Sequence, residues 1–109
     1  MLNERERIVS EKRKLLQELP DIGEIIRGSM MKYYLTCGTK SCRCHKKGGK
    51  KHGPYWYIAV SYGGKKKQKL YKLRNAAVKE IKTRIENYRK LWTGLCAISE
   101  KNIRLYRGL

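Results

Sequence analysis

The sequence predicts an α+β fold: a three-stranded antiparallel sheet stapled by a Cys/His loop, with an N-terminal helix before it and a long C-terminal helix after it. Three observations predict it. Apolar residues recur at helical spacing near both ends of the chain. The middle holds short runs of Tyr, Trp, Ile and Val punctuated by Gly, the composition of strands and turns. Between the first two of those runs, three cysteines and two histidines fall within sixteen residues. A chain of 109 residues supports one domain with a modest core. It divides into a helix over 1–20, a basic loop-and-strand region over 27–74 and a long helix over 75–109.

The first helix begins at Asn3, where Asn3 and Glu6 form a loose capping pattern. Val9, Lys12, Leu16 and Leu19 make one stripe, with Ile8 and Leu15 beside it. Pro20 stops the helix, because the residue before a proline avoids helical dihedrals. Residues 21–26 allow a short helical turn, and Gly28-Ser29 breaks it.

Strands are expected over 30–36, 55–62 and 65–72, the second being the most aromatic and β-branched. Gly63-Gly64 signals a hairpin. A three-residue loop, Gly63-Gly64-Lys65, sorts polar from apolar residues by placing Ile58 opposite Leu70 and Tyr57 opposite Tyr71. One face then carries Trp56, Ile58, Val60, Tyr62 and Leu70, joined by Met31, Tyr33 and Leu35. The other carries Tyr55, Tyr57, Tyr71 and the lysines, with Lys32 and Tyr34. A one-residue slip would exchange every side chain between faces.

Asn75 is a suitable N-cap for the last helix. Val78, Ile81, Ile85, Tyr88, Trp92 and Leu95 step by three and four, as in a helical bundle or coiled coil. Leu91, Leu95, Ile98, Asn102, Leu105 and Leu109 form a second stripe. Gly94 marks a bend or a close crossing, and Cys96 reads as a buried structural thiol. So long a helix outruns one small core. It pairs with the N-terminal helix, through Val9, Leu16 and Leu19, or with a second copy, giving a homodimer through the C-terminal helix.

The cysteine cluster reads Cys37-Gly-Thr-Lys-Ser-Cys42-Arg-Cys44-His45, with His52-Gly53-Pro54 following. A long loop of Gly and Lys needs something to hold it. Zinc is the natural cofactor, since structural sites use four Cys or His ligands. Cys37, Cys42, Cys44 and His52 are the preferred set, with His45 as the alternative fourth ligand. Free thiols, a redox disulfide or an iron–sulfur centre are the competing readings.

Arg27-Gly28-Ser29, Cys37-Gly38, Cys42-Arg43-Cys44 and His52-Gly53-Pro54-Tyr55-Trp56-Tyr57 together resemble a small prokaryotic family of unknown function. Its pattern is R-G-S, then C-G-x-x-x-C-R-C, then H-G-P with aromatics, a basic hairpin and a long helix. The resemblance covers residues 22–99. It implies a prokaryotic, archaeal or phage origin and supplies no activity.

The charge sharpens the functional reading. Of 27 Lys and Arg residues, fourteen lie from Arg27 to Arg74, and no Asp or Glu lies between Glu24 and Glu80. Self-repulsion on that scale is relieved by a polyanion. Nucleic acid is the expected partner, DNA ahead of RNA, through Arg43, Lys46, Lys47, Lys50, Lys51, Lys65, Lys66, Lys67, Lys69 and Lys72. Tyr57 and Tyr71 are placed to stack on bases or donate to phosphates. The alternatives are an RNA-binding module and a protein docking an acidic protein partner. An enzyme is not expected: the middle segment has no carboxylate pair, Ser-His-Asp set or phosphate loop, and a catalytic zinc would lack a carboxylate base between Glu24 and Glu80. No apolar run is long enough to span a membrane, and no apolar leader is present. A cytoplasmic, non-membrane protein is the expectation.

Overall fold

The computed structural model describes residues 1–62 and 67–108, in the expected α+β order. Lys65, Lys66 and the Gly63-Gly64-Lys65 turn lie outside the described residues. The elements are α1 (Glu4–Gln17), β1 (Ser29–Leu35), β2 (His52–Val60), β3 (Lys69–Leu73) and α2 (Val78–Tyr106). Two compact units form: residues 27–83, and residues 1–26 together with 84–109.

The 27–83 unit is built on an antiparallel sheet of order β1-β2-β3. β2 is central, and its last three residues, Ile58, Ala59 and Val60, are buried. The register differs by one residue from the sorted one. Ile58 faces Tyr71, Ala59 faces Leu70 and Val60 faces Lys69. Tyr71 and Lys69 therefore share a face with Trp56, Ile58 and Val60, while Leu70 and Lys72 join Tyr55 and Tyr57. On the other side Met31 faces Tyr57 and Tyr33 faces Tyr55, whereas Lys32 faces Trp56. Met31 and Tyr33 are thus on the Tyr57 face, and Lys32 is on the Trp56 face, the reverse of expectation.

The physical reason lies in the lysines. Their ammonium groups sit over aromatic rings, so charge need not be segregated to one face. Lys32 and Lys82 place Nζ 5.6 and 4.7 Å from the Trp56 ring centroid, and Lys69 lies 5.9 Å from that of Tyr62. The Tyr62 and Tyr71 hydroxyls also meet at 3.3 Å.

In the other unit, Asn3 caps α1 as expected: its side chain accepts from the Glu6 amide and donates to the Glu6 carboxylate, both at 2.8 Å. α1 runs antiparallel to the C-terminal part of α2. Glu4 pairs with Arg104 at 3.3 Å, Glu11 with Lys101 at 2.7 Å, and Leu19 lies against Gly94. Ile8, Leu91 and Leu105 are buried, and Leu15, Leu19 and Ile98 are half-buried. The pairing therefore uses the Ile8–Leu15 edge of α1. Val9 and Leu16, expected to cover the seam, are exposed, as are Trp92 and Leu95. Cys96 is exposed and not a core thiol. Asn75 does not cap α2 either. It opens a 3₁₀ turn over Asn75–Ala77, and the α-helix starts at Val78.

Gly94 marks a close crossing. A Cβ there would run into Leu19 Cδ2. Gly94→Val should lower the urea midpoint by overpacking, on the order of 1–3 kcal/mol. Adding Leu19→Ala should cost less than the two single changes summed, since the second opens space for the first. Strict additivity would mean the helices do not cross at this point.

Candidate metal centre

β-sheet pairing brings the ends of the cysteine loop together. The β1–β2 ladder, irregular between Tyr33 and Leu35, ends with Leu35 opposite His52. Cys37 thus emerges two residues beyond the partner of His52. Between them the chain is folded by short turns: the Cys42 amide donates to the Thr39 carbonyl at 3.0 Å, and a 3₁₀ turn follows over Arg43–His45. The Gly49 amide then donates to the Lys46 carbonyl at 2.8 Å.

This path gathers Cys37 Sγ, Cys42 Sγ, Cys44 Sγ and a His52 ring nitrogen within 4.8 Å of one another. Cys37 Sγ lies 3.6 Å from Cys44 Sγ, and Cys42 Sγ lies 3.3 Å from His52 Nε2. A tetrahedral ion bonded to sulfur at ~2.3 Å needs sulfur–sulfur edges of about 3.8 Å. The donor set therefore fits a metal ion, with three soft sulfurs and one imidazole and no position left for a fifth protein group. Cys44 is buried and its sulfur accepts the Cys37 amide at 3.3 Å. Such amide–sulfur bonds orient and stabilise metal thiolates.

His45 does not join the donors. Its Nε2 lies 2.7 Å from the Cys37 carbonyl, which ties the 3₁₀ turn to the first ligand's backbone. Because residues 44 and 45 are adjacent, turning Cys44 inward turns His45 away.

The titration of the cluster follows its hydrogen bonds. The Cys37 thiol is drawn down to about 6, first by a hydrogen bond with the Thr39 backbone and then by Cys42, Cys44 and His52, against the effect of burial. Cys42 is lowered by the Cys44 backbone and then by His52. Burial pushes Cys44 up. His52 is raised by its hydrogen bond with Cys42 and then with Cys37.

A family model described as a domain of unknown function, DUF6788, matches residues 5–87. The chain belongs to the DUF6788 family. The match takes in nearly all of α1, the sheet, the metal loop and the start of α2, beginning earlier and ending earlier than the resemblance over residues 22–99 suggested. No curated protein and no solved structure matches the chain.

Exposed basic residues of this DUF6788 domain lie on the loop that carries the cluster and along β3. Arg43, Lys46, Lys47, Lys50 and Lys51 are exposed on the loop, and Lys67, Lys69 and Lys72 are exposed at β3. Tyr57 and Lys72 face each other across β2 and β3, whereas Tyr71 and Lys69 lie on the opposite face. The sequence reading left Tyr33 and Tyr55 out of the functional set. Alternation along the H-G-P-Y-W-Y run places Tyr55 on the Tyr57 face, and the β1–β2 register adds Tyr33 to it.

Gly53 has φ of +138°, and a Cβ there would lie 2.7 Å from the Tyr33 carbonyl oxygen. Gly53→Ala should therefore shift His52 and weaken metal retention, measured by competition with a chromophoric chelator. Cys44→Ser should abolish retention and lower the melting temperature, while Lys47→Ala should leave both near wild type, because metal binding in a small unit is folding free energy. Purified protein without metal and a melting curve indifferent to chelator would refute the metal centre.

Proposed function

We propose that this DUF6788 protein is a non-catalytic nucleic-acid-binding protein whose Cys/His cluster holds a structural zinc ion. The observation that carries the reading is the unbroken basicity of residues 27–74, fourteen Lys or Arg and no Asp or Glu, on a unit whose largest loop is gathered by the cluster. A lone surface lysine is an ordinary solvated charge. Fourteen without an acidic neighbour in sequence form a field that draws in a polyanion and releases its counterions.

Zinc suits three sulfurs and an imidazole in tetrahedral array better than hard cations do. Four protein ligands leave no place for a reacting water, and residues 25–79 hold no carboxylate to act as base, so the ion's role is structural. Arg43 sits between two ligands, so its backbone is fixed more firmly than that of any loop lysine. It is the residue best placed for a forked contact to a phosphate or a guanine edge. DNA is favoured over RNA, and the setting is cytoplasmic. Among the described residues no helix is long and apolar enough to cross a membrane.

The helical unit supports a homodimer. Val9 and Leu16 on α1, and Trp92, Leu95, Ile103 and Tyr106 on α2, are exposed. On each helix they lie roughly a quarter turn from the buried edge, at 3.6 residues per turn. In an antiparallel pair, equal offsets in the same rotational sense fall on the same side. The six residues thus form one apolar face, and a second copy laid on it would complete a four-helix bundle. Sedimentation at micromolar concentration should give a dimer, and Trp92→Lys with Ile103→Lys a folded monomer. A monomeric wild type would remove this part of the reading.

Binding should be strongly electrostatic. If ~6–10 phosphates are neutralised, affinity should fall roughly 10³–10⁵-fold between 50 and 200 mM salt. Replacing Lys46, Lys47, Lys50 and Lys51 together by Ala should flatten the salt slope by up to about 4 units and weaken all sequences alike. Arg43→Ala should instead reduce preference among sequences or structures, with the slope changed by about one unit at most. Absence of binding to duplex DNA, single-stranded DNA and RNA at 50 mM salt would leave an acidic protein as the partner.

A further inference from the structure

One face of the sheet concentrates tyrosine. Tyr33 and Tyr55 are direct cross-strand partners, Met31 faces Tyr57, and Tyr57 faces Lys72. The Tyr33 and Tyr57 rings meet edge to face, with centroids 5.4 Å apart and planes at 78°. The Tyr33 hydroxyl donates to Met31 Sδ at 3.3 Å, which holds that ring in place. Lys72 Nζ lies 5.1 Å from the Tyr55 ring centroid. Tyr33, Tyr55 and Tyr57 are only half-buried, so part of each ring remains open to solvent. At the end of this face an open hollow of about 390 Å³ is lined by His52, Pro54, Tyr55, Lys72, Leu73 and Asn75. Ring, ammonium and amide thus converge beside the metal ligand.

The width of the sheet says how a nucleic acid would meet this face. A two-stranded ribbon fits the major groove of B-DNA. Here the tyrosine strand β2 is central and flanked on both sides. Three strands spaced by ~4.8 Å span about 10 Å between the outer backbones, before side chains are added, against a groove about 12 Å wide. Laid on a duplex, the tyrosines would meet sugars and phosphates only. Their π-faces are useful to unpaired bases, which stack on aromatic platforms while cations track the backbone.

We propose that the Tyr33–Tyr55–Tyr57 face binds single-stranded nucleic acid by base stacking, with Lys72 beside it on a phosphate and the hollow at Tyr55 and Asn75 receiving one unpaired base. The proposal rests on the nucleic-acid reading above and adds the form of the ligand and the face that reads it. Charge complementarity supports the occupant: no carboxylate lies anywhere in residues 25–79 to repel a phosphate chain.

The test uses four probes of twenty nucleotides, each at several salt concentrations: oligo-dT, oligo-rU, an abasic deoxyribose strand with the same number of phosphates, and a duplex. Fluorescence anisotropy reads affinity. Oligo-dT or oligo-rU should bind more tightly than the abasic strand, and the comparison of those two identifies the natural sugar. Tyr55→Leu and Tyr57→Leu should each weaken base-bearing single strands by roughly 5- to 150-fold, with an unchanged salt slope and unchanged abasic binding. Tyr57→Phe, which keeps the ring, should restore the preference for bases. The preference is a ratio measured on one preparation, so partial misfolding of a variant does not mimic the result. Equal affinity for abasic and base-bearing strands, or tighter binding of duplex, overturns the stacking proposal while leaving electrostatic binding intact. No binding to any probe at low salt overturns the underlying reading as well.

Discussion

The β1–β2 ladder is the interaction on which the basic unit depends. By pairing Leu35 with His52 it sets the two ends of the cysteine loop side by side, which places Cys37 and His52 near enough to share an ion with Cys42 and Cys44. With β3 paired on its other edge β2 is a central strand, and its last three residues, Ile58, Ala59 and Val60, are buried. Without the ladder neither the donor set nor the tyrosine face exists. With it, the remaining cost is the order imposed on residues 36–51, a segment of Gly and Lys with little apolar surface to bury. A metal ion held by the cluster would supply the attraction that apolar burial cannot.

How much of this was legible in the sequence depends on what each feature is made of. Asn3 with Glu6 has a local cause, two hydrogen bonds within one helical turn, and the expected cap is present. The gathering of Cys37, Cys42, Cys44 and His52 was legible for a related reason, since few residue types bind a soft ion and five such residues crowd one loop. The strand register was not. Sorting lysines from apolar residues assumes that a lysine avoids an aromatic face, yet Lys32 and Lys82 both reach the Trp56 ring. Polarity along β3 therefore carried less information than it seemed to hold.

The helices failed to be legible in a different way. α1 carries two apolar stripes, Ile8 with Leu15 and Val9 with Leu16, one residue apart. A single helix cannot reveal which of them faces its neighbour. That choice is made by the partner. Gly94 lets Leu19 approach, and the Glu4–Arg104 and Glu11–Lys101 pairs fix the antiparallel alignment. Both pairs keep contact with solvent through Glu4 and Glu11, and their role is alignment more than stability. Once Ile8 and Leu15 face α2, Val9 and Leu16 must point away, and the exposure of Trp92 and Ile103 on the same side follows from the same rotation.

Charge and cluster also support one another. Three thiolates and a divalent ion sum to one negative charge, so a filled site is a small anion inside a cationic loop. Its thiolates would offset part of the mutual repulsion of the loop's lysines. The balance does not extend to β3 or to the loop's outer lysines, which remain far in excess. A unit built this way folds around a local charge balance and leaves a surplus of one sign outside it. With the loop ordered by such a clasp, a phosphate chain bound there would meet cations whose backbone is held in advance. Less conformational entropy is lost on binding than a free polylysine segment would lose.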